Sequence, residues 1–289
     1  LNTEMGSTVA ILADLQGPKI RIGKAAADTK LRNGSKIIIT DKPRVSTDKE
    51  ISINHPGIVS DIKAGDTVLV DDGKIVLHVE KKSGSHTLKA TVLNGGPLLS
   101  NKGINLPDSK LSMPAMTDKD LEDLEFALKQ RIDWVGLSFV RSASDIMGLK
   151  KIIAKHGTFT KVIAKIEKPE AVKNMDEIIA CSDGLMVARG DLGVEMPMQE
   201  VPLIQKMLVK KCLENAKPVI IATQMMESMI RNITPTRAEV NDVANSIMDG
   251  ADAVMLSAET SIGKHPVKVI EAVQKIVDNI EKYEGIYNR

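Results

Sequence analysis

The stretch Gly184-Leu-Met-Val-Ala-Arg-Gly-Asp-Leu-Gly-Val-Glu195 carries the pattern from which the fold can be predicted. Its first five residues form a continuous apolar run, which is typical of a strand buried on both faces in a parallel sheet. The glycines that follow allow a sharp turn. A short helix beginning at Gly190 would direct free N–H groups towards an anion. This buried strand therefore ends in a polar turn that places Asp191 where a ligand could bind.

The alternation of strand and helix extends along the chain on both sides of this stretch. An apolar run at residues 8–15 predicts the first strand. From Thr117 onwards, apolar runs predict further strands at Trp134–Phe139, Val162–Ile166, Leu185–Ala188, Val219–Thr223 and Ala253–Ser257. The stretches between and after them predict helices at Ser144–Lys155, Pro169–Ala180, Val201–Asn215, Arg237–Met248 and Pro266–Glu281. This alternation indicates parallel strands covered by helices.

The strand ends favour a barrel over an open, doubly wound sheet. Successive strands end in polar residues, from Asp14 at the first to Glu259 after the last. A (β/α)8 barrel builds one site from such residues at a single face. An open sheet usually carries a Gly-rich loop at its switch point, and no G-x-G-x-x-G follows a strand here. The expected fold class is α/β, a (β/α)8 TIM barrel that is incomplete because only about six of its strands are found.

Between Gly17 and Asn105 the pattern changes to short β-rich runs separated by turn signals. The runs lie at Lys36–Thr40, Thr67–Val70, Ile75–Val79 and Thr87–Leu93. Short strands with frequent turns indicate a small all-β barrel or sandwich. We therefore expect a catalytic barrel domain of residues 1–16 and 112–289, with an inserted β-rich domain of residues 17–111.

Composition limits the class of protein. The chain has 289 residues, of which 43% are hydrophobic and 27% charged, as in a globular protein. The net charge of +1 gives no basic excess of the kind that nucleic-acid binders usually show. No apolar run approaches the roughly 20 residues that span a bilayer, and no secretory signal is recognised. We expect a cytoplasmic protein with no nucleic-acid or membrane partner. Because the sequence does not begin with Met, we also expect a fragment or a trimmed form.

Two motifs together suggest chemistry on phosphoryl groups. In Val162-Ile-Ala-Lys-Ile-Glu167, the alternation of strand faces places Lys165 and Glu167 on the same side. Burying such a pair is costly unless it is paired or bound to something, so a structural ion pair and a ligand site are both open interpretations. Glu167 and Asp191 offer two carboxylates of the type that Mg²⁺ prefers. Lys165 would add positive charge for phosphoryl transfer, and Thr223 would contact a substrate or cap a helix.

Several segments, taken in order, resemble the pyruvate kinase family. They are Ala13–Arg21, Lys161–Glu167, Met186–Glu195, Ala222–Met229 and Pro235–Glu259. The run Val-Ala-Arg-Gly-Asp-Leu-Gly-Val-Glu is nearly diagnostic, and the resemblance covers essentially the whole chain. It implies a phosphotransferase that moves the phosphoryl group of phosphoenolpyruvate to ADP, giving pyruvate and ATP. It also implies that the β-rich domain is a mobile lid whose closure excludes water.

The resemblance implies roles for individual residues. Glu167 and Asp191 would bind the catalytic Mg²⁺ or Mn²⁺, and Lys165 would stabilise the phosphoryl group in transfer. The residues implied in substrate binding are Lys165, Ala188, Gly190, Asp191 and Thr223. The residues implied in nucleotide binding are Arg21 and Lys102.

A monovalent-cation site for K⁺ is implied at Asp14 and the backbone of Leu15. Lys19 stands where potassium-requiring members of the family have an acid. A fixed ammonium group at Lys19 could therefore replace potassium.

The sequence departs from the family by lacking its opening barrel strands and its C-terminal domain. Members of the family are usually tetramers, so a homo-oligomer is expected of the full-length form. Two alternatives stay open. One is a magnesium-dependent aldolase or lyase that acts on pyruvate enolate from the same barrel, although the inserted β-rich domain and Lys102 argue against it. The other is a catalytically inactive fragment that binds metal and carboxylate ligands.

Overall fold

The structure of the chain, a computed structural model, describes residues 2–283. Its strands are β1 (Leu12–Asp14), β2 (Lys30–Leu31), β3 (Lys36–Thr40), β4 (Glu50–Ser52), β5 (Thr67–Val70), β6 (Ile75–Lys82), β7 (Thr87–Asn94), β8 (Gly96–Pro97), β9 (Ile104–Asn105), β10 (Trp134–Leu137), β11 (Lys161–Ile166), β12 (Gly184–Ala188), β13 (Val219–Ala222) and β14 (Ala253–Met255). Its α-helices are α1 (Asn2–Met5), α2 (Ile58–Asp61), α3 (Asp118–Lys129), α4 (Ala143–Lys155), α5 (Pro169–Lys173), α6 (Met175–Cys181), α7 (Arg189–Glu195), α8 (Val201–Glu214), α9 (Arg237–Met248), α10 (Ala258–Ser261) and α11 (Pro266–Lys282). Short 3-10 helices lie at Met198–Glu200 and Glu227–Ile230.

The chain folds into two compact units. The first, which we call the barrel unit, contains the residues up to Leu15, Asp118–Gly193 and the residues from Met198 onwards. The second, which we call the β unit, contains Gln16–Thr117 and Val194–Pro197. The β unit thus takes in the end of α7 as well as the inserted segment. The domain limits expected from the sequence stay a prediction.

The barrel unit is organised around one sheet of six parallel strands. Their order is β1-β10-β11-β12-β13-β14, so each strand lies beside the next strand of the barrel unit along the chain. Helices connect these strands, as the sequence pattern predicts. Within residues 2–283, β1 and β14 form the two edges of this sheet. The expected α/β class with an incomplete barrel of six strands is confirmed.

The central strands of this sheet are buried. All residues of β12 are buried, and in β11 only Lys161 and Lys165 have appreciable exposure. Ile163, Met186 and Ala222 pack together across the three middle strands. Burial of this kind explains the nearly continuous apolar sequence of these strands. It also makes Lys165, a charged residue in a buried strand, an exception that needs a partner.

The β unit contains a mixed sheet of six strands in the order β4-β3-β7-β6-β5-β9. Its pairs are antiparallel except for β3 and β4, which run parallel. Buried aliphatic residues such as Ile39, Leu77 and Leu88 form its core. The all-β expectation is confirmed except for α2, a single helical turn at Ile58–Asp61. Four residues are too few for a helical period to be recognised in sequence.

Two predicted strands end earlier than expected because the chain turns sharply. The sequence predicts that one strand extends to Phe139, but the φ of Phe139 is +53° and β10 ends at Leu137. The sequence predicts that another strand extends to Thr223, but the φ of Thr223 is +74° and β13 ends at Ala222. Left-handed backbone is uncommon for side chains other than Gly and cannot continue a strand.

Two predicted helices also differ. The helix expected at Pro169–Ala180 is divided into α5 and α6, because Asn174 leaves helical geometry with φ −100° and ψ 18°. The helix expected to begin at Gly190 begins one residue earlier. Across residues 2–283, none of the helices has both the length and the apolar character that crossing a membrane requires.

Candidate active site

Neighbouring strands of the barrel unit place polar residues at their carboxyl ends. β1 ends in Asp14, β11 is followed directly by Glu167, and β13 by Thr223. The turn after β12 carries Asp191 within α7. Because the strands are parallel, these ends lie along one edge of the sheet. The structure thus brings residues from distant parts of the sequence to one edge.

Lys165 lies at the centre of this group. Its Nζ donates to Asp14 Oδ1 at 2.9 Å and to Ser138 Oγ at 2.8 Å. It also lies 3.2 Å from Glu167 Oε1. The side chain is only 12% exposed, so its charge is balanced mainly by these protein groups rather than by water. The structural ion pair that the sequence left open is therefore present.

The pKa of Lys165 reflects this balance. Burial alone would lower the pKa of the ammonium group, but the negative charges of Glu167 and Asp14 outweigh burial and raise the pKa above its ordinary value. Lys165 therefore stays protonated near neutral pH. A permanently charged ammonium group at a strand end is suited to binding an anionic group.

Glu167 is almost fully buried, with its side chain 2% exposed. Its Oε2 accepts the N–H of Phe139 at 2.9 Å, which explains why the chain adopts the left-handed turn there. Burial raises the pKa of Glu167 above its ordinary value. The charge of Lys165 and the N–H of Phe139 oppose this rise, whereas the charge of Asp191 adds to it. The carboxylate is thus held in a site where more positive charge would be favourable.

Glu167 and Asp191 are the residues of this edge that could hold a divalent metal ion. They provide hard carboxylate oxygens, and the mutual repulsion seen in the pKa of Glu167 would be relieved by a cation. Within residues 2–283, no group of three or more His, Cys, Asp or Glu residues is arranged to hold a metal. Such a pair fits Mg²⁺, which is often held by one or two carboxylates together with substrate and water.

Thr223 forms a hydrogen bond with the beginning of α7. The N–H of Gly190 donates to Thr223 Oγ1 at 2.8 Å. A Cβ added at Gly190 would lie 3.2 Å from the same oxygen, so the glycine permits this close approach. The hydroxyl therefore satisfies a helix N–H, as the capping interpretation anticipated, but the helix belongs to the neighbouring strand. In this structure the N–H of Gly190 is therefore already engaged, and the anion site expected at the beginning of the helix stays a prediction.

Arg189 has a structural role that the sequence did not reveal. Its guanidinium donates to Asp242 Oδ1 at 2.7 Å and to the backbone oxygen of Thr223 at 2.7 Å. This contact ties the ends of β12 and β13 to α9. A buried charge such as that of Arg189 needs a partner of opposite charge. No sequence pattern identifies this partner as Asp242, which is 53 positions away.

Asp14 and Leu15, the expected monovalent-cation ligands, are engaged by protein groups. Both oxygens of Asp14 accept from Lys165, at 2.9 and 3.1 Å. The backbone oxygen of Leu15 accepts from Ser138 Oγ at 2.6 Å. The ammonium group of Lys165 thus supplies the positive charge that balances the carboxylate of Asp14 in this structure. The assignment of these residues to a potassium site stays a prediction.

The expected nucleotide contacts, Arg21 and Lys102, are brought together within the β unit. Arg21 pairs with Gly103 in an isolated antiparallel bridge, and its guanidinium donates to Asn101 O at 3.0 Å. Lys102 forms an ion pair of 2.9 Å with Asp71, which raises the pKa of Lys102 above its ordinary value. The backbone segments that carry these two cations are therefore neighbours in the fold, although 80 positions separate Arg21 from Asn101. Lys19 is an exposed residue of the same unit.

The family model and the curated relatives that match the chain all belong to one family. Residues 1–270 match the family model described as "Pyruvate kinase, barrel domain". The chain is 49% identical to a pyruvate kinase from Mycobacterium intracellulare over 277 residues, which is 96% of the chain and 58% of that relative. It is 50% identical to a pyruvate kinase from Corynebacterium glutamicum over 94% of the chain and 57% of the relative.

A pyruvate kinase from Geobacillus stearothermophilus is 47% identical over 96% of the chain, but the match covers 48% of that relative. The chain therefore spans about half the length of the curated relatives that it matches. The matched part includes both the parallel sheet and the β unit.

Proposed function

Because the chain belongs to the pyruvate kinase family, we propose that the protein containing it transfers the phosphoryl group of phosphoenolpyruvate to ADP and so produces pyruvate and ATP. The observation that carries this proposal is the environment of Lys165. A buried ammonium group lies between carboxylates at the ends of adjacent strands. Phosphoryl transfer depends mainly on positioning and on charge stabilisation, and this cluster supplies both.

Glu167 and Asp191 would hold Mg²⁺, or Mn²⁺ in its place. A bound divalent ion would neutralise negative charge on the phosphoryl oxygens. The chain's own contribution is to keep the Glu167 carboxylate in place, through the N–H of Phe139 and the ammonium group of Lys165. The buried position of Glu167 keeps water away from one side of the site.

In the proposed reaction, the bond between phosphorus and the enol oxygen of phosphoenolpyruvate breaks. A new bond forms between phosphorus and a terminal phosphate oxygen of ADP, and the enolate takes up a proton at its methylene carbon to give pyruvate. Lys165 would bind the transferring group, since its charge is permanent and its Nζ is held by Asp14 and Ser138. Ala188, Gly190 and Thr223 would bind the carboxylate end of the substrate.

The proposal assigns the nucleotide phosphates to Arg21 and Lys102. It also assigns a monovalent-cation site to Asp14 and the backbone of Leu15. The ammonium group of Lys19 would take the place of potassium at this site. A strong dependence of turnover on potassium would contradict this assignment of Lys19. We further propose that the full-length protein is a cytoplasmic homo-oligomer. The relatives described above are named pyruvate kinase and give no support to a lyase.

The test is a coupled assay of pyruvate formation from phosphoenolpyruvate and ADP with the protein and its Lys165→Met variant. Met keeps the length of the side chain but removes the charge, so turnover should fall on the order of 100-fold to 1,000-fold, whereas metal affinity should change far less. Lys151→Met, at an exposed position of α4, is the matched control and should keep full turnover. Near-normal turnover in Lys165→Met would refute the role of Lys165, and no turnover in the unaltered protein would favour the inactive binding fragment.

A further inference from the structure

A second cleft lies at the other end of the parallel sheet, where the chain enters β10 and β11. Its volume is about 790 Å³, which falls within the range of small-molecule sites. Lys161 lines it and begins β11, whereas Lys165 lies near the opposite end of the same strand. Four residues of strand span about 13 Å. The cleft is therefore separate from the candidate active site.

Two aromatic side chains line this cleft. Trp134, the only tryptophan of the chain, is half-buried at the start of β10. Phe159 is 100% exposed, although a large apolar ring in contact with water is unfavourable. Packing within the chain therefore does not account for a fully exposed Phe159 in the lining of a cleft. Trp134 also packs against the apolar cluster of the middle strands, so Phe159 and the exposed part of the Trp134 ring offer flat apolar surface to a planar ligand.

Cationic side chains surround these rings. Arg131 and Lys161 line the cleft, and neither forms an ion pair with a carboxylate among the described residues. Lys161 Nζ lies 5.0 Å from the centroid of the Trp134 ring, so an ammonium group and an aromatic face are presented side by side. Arg131 has a left-handed backbone with φ +54°.

The other polar side chains of the cleft each have a hydrogen-bond or ion-pair partner. Lys129 forms an ion pair with Glu125 at 2.7 Å. The carboxylate of Asp133 accepts the N–H of Ile11 at 2.8 Å. His156 Nδ1 lies 3.0 Å from the backbone oxygen of Ile152. Asp133 keeps its negative charge, but the cations Arg131 and Lys161, unpaired within residues 2–283, outnumber this one carboxylate of the lining, which favours an anion.

We propose that this cleft binds a small aromatic anion, with its ring against Trp134 and Phe159 and its negative group at Arg131 and Lys161. Arginine recognises phosphate and carboxylate in a planar, two-pronged arrangement, and aromatic faces bind planar rings. An aromatic carboxylate and an aromatic phosphate share this chemistry. The inference is independent of the reaction proposed above.

Trp134 provides a direct measurement, because it is the only tryptophan of the 289 residues and it lines the cleft. The protein is titrated with phenyl phosphate and, separately, with benzoate, which distinguishes the two classes of anion. Inorganic phosphate supplies charge without a ring, and benzyl alcohol supplies a ring without charge. A saturable change in emission is expected for at least one of the two aromatic anions, with a Kd on the order of 1 mM, as for fragment-sized ligands. Neither of the other two probes should saturate in that range.

Variants connect the signal to the cleft. Arg131→Asn, which tolerates the left-handed backbone, should weaken binding about tenfold, and Phe159→Ala should also weaken it. Lys173→Gln, an equal loss of charge at an exposed position of α5, and Lys165→Met should both bind as the unaltered protein does. A response that does not saturate, that survives Arg131→Asn and Phe159→Ala, or that inorganic phosphate or benzyl alcohol reproduces would overturn the proposal.

Discussion

Glu167 has almost no contact with solvent, yet it carries a carboxylate beside Lys165 and within the electrostatic influence of Asp191. Burial raises its pKa, and this rise is the cost of keeping an acid in the interior of the sheet. A bound divalent cation would oppose this rise, because its positive charge favours the ionised form of Glu167. At the scale of single residues, Glu167 is therefore where metal affinity should be decided.

Glu167→Gln keeps the shape of the side chain and removes its charge. Since even residues that only support metal ligands change metal affinity roughly 10-fold to 100-fold, the affinity for Mn²⁺ should fall at least about tenfold. The free ion can be followed by electron paramagnetic resonance during a titration. Glu170→Gln, three residues away on α5, is the control and should bind Mn²⁺ normally. Unchanged Mn²⁺ affinity in Glu167→Gln would remove this residue from the metal site.

The sequence alone could predict part of this site. Strand alternation correctly places Lys165 and Glu167 together, because two residues in one strand need no knowledge of the rest of the fold. Ser138 and Asp14 contact Lys165 through the lateral order of β1, β10 and β11, which a single sequence does not specify. The pairing of Arg189 with Asp242 escaped prediction for the same reason.

At the scale of elements, the beginning of α9 is a helix start that the local sequence predicts correctly. Thr236 caps the helix, and its N–H donates to Glu239 Oε2 at 2.7 Å while Glu239 N donates back to Thr236 Oγ1 at 3.2 Å. Glu239 also accepts from the backbone and the hydroxyl of Ser228, at 2.7 and 2.6 Å. It thereby joins α9 to the 3-10 helix that follows β13.

The pKa of Glu239 leads to a pH-dependent prediction. Burial would raise this pKa, but the hydrogen bonds from Ser228 and Thr236 outweigh it and lower the pKa below the ordinary value. A carboxylate with a lowered pKa in the folded state stabilises the protein above its unfolded pKa, about 4.3, and loses this effect as pH falls through the folded value. Glu239→Gln should therefore lower Tm at pH 7 by roughly 2–4 °C, for a cap contribution of about 1 kcal/mol.

Thermal unfolding of the unaltered protein and Glu239→Gln at several pH values checks this. The difference in Tm should be constant near neutral pH and shrink once the pH drops below about 4.3. Glu227→Gln, at an exposed position of the adjacent 3-10 helix, should show no difference at any pH. A difference between the unaltered protein and Glu239→Gln that persists undiminished in acid would mean that shape rather than charge matters there.

Elements were predicted well where their signals are local and poorly where a tertiary contact decides. The bounds of α9 were predicted correctly, because Pro235 and the residues around it carry strong helix-start chemistry. The strands expected to reach Phe139 and Thr223 are shorter, since the left-handed turns at these residues come with hydrogen bonds to Glu167 and Arg189. Contacts of this kind cannot be deduced from propensity.

At the scale of the whole molecule, the β unit has a hydrophobic core of its own. The core is a cluster of buried residues drawn entirely from Ile20–Met113. Its central members, including Ile39 and Leu77, are 0% exposed. A segment of this length with a separate core has the size and the buried apolar surface of an independent domain.

We expect residues 16–117 to fold when produced alone. The reason is that the buried apolar surface of this core is supplied by the segment itself. Dispersed amide signals in a two-dimensional NMR spectrum and a cooperative thermal transition would be observed. Leu77→Asp places a charge in the core and should abolish both, whereas Leu93→Asp, at a 56% exposed position, should preserve them. A collapsed spectrum for the unaltered segment would show that its core needs the rest of the chain.

The contact between Lys165 and Asp14 also has a consequence for how fast the molecule reaches its native state. The two residues are 151 positions apart, and the chain of the β unit lies between them. Closing so long a loop costs entropy that grows with the logarithm of its length, and folding slows as contacts become less local. Prior folding of the inserted segment would shorten the loop that β1 must close in order to pair with β10. The ion pair then forms late, so during refolding the contact between Lys165 and Asp14 would appear after most of the helical signal has recovered, and its appearance would mark the last step of assembly.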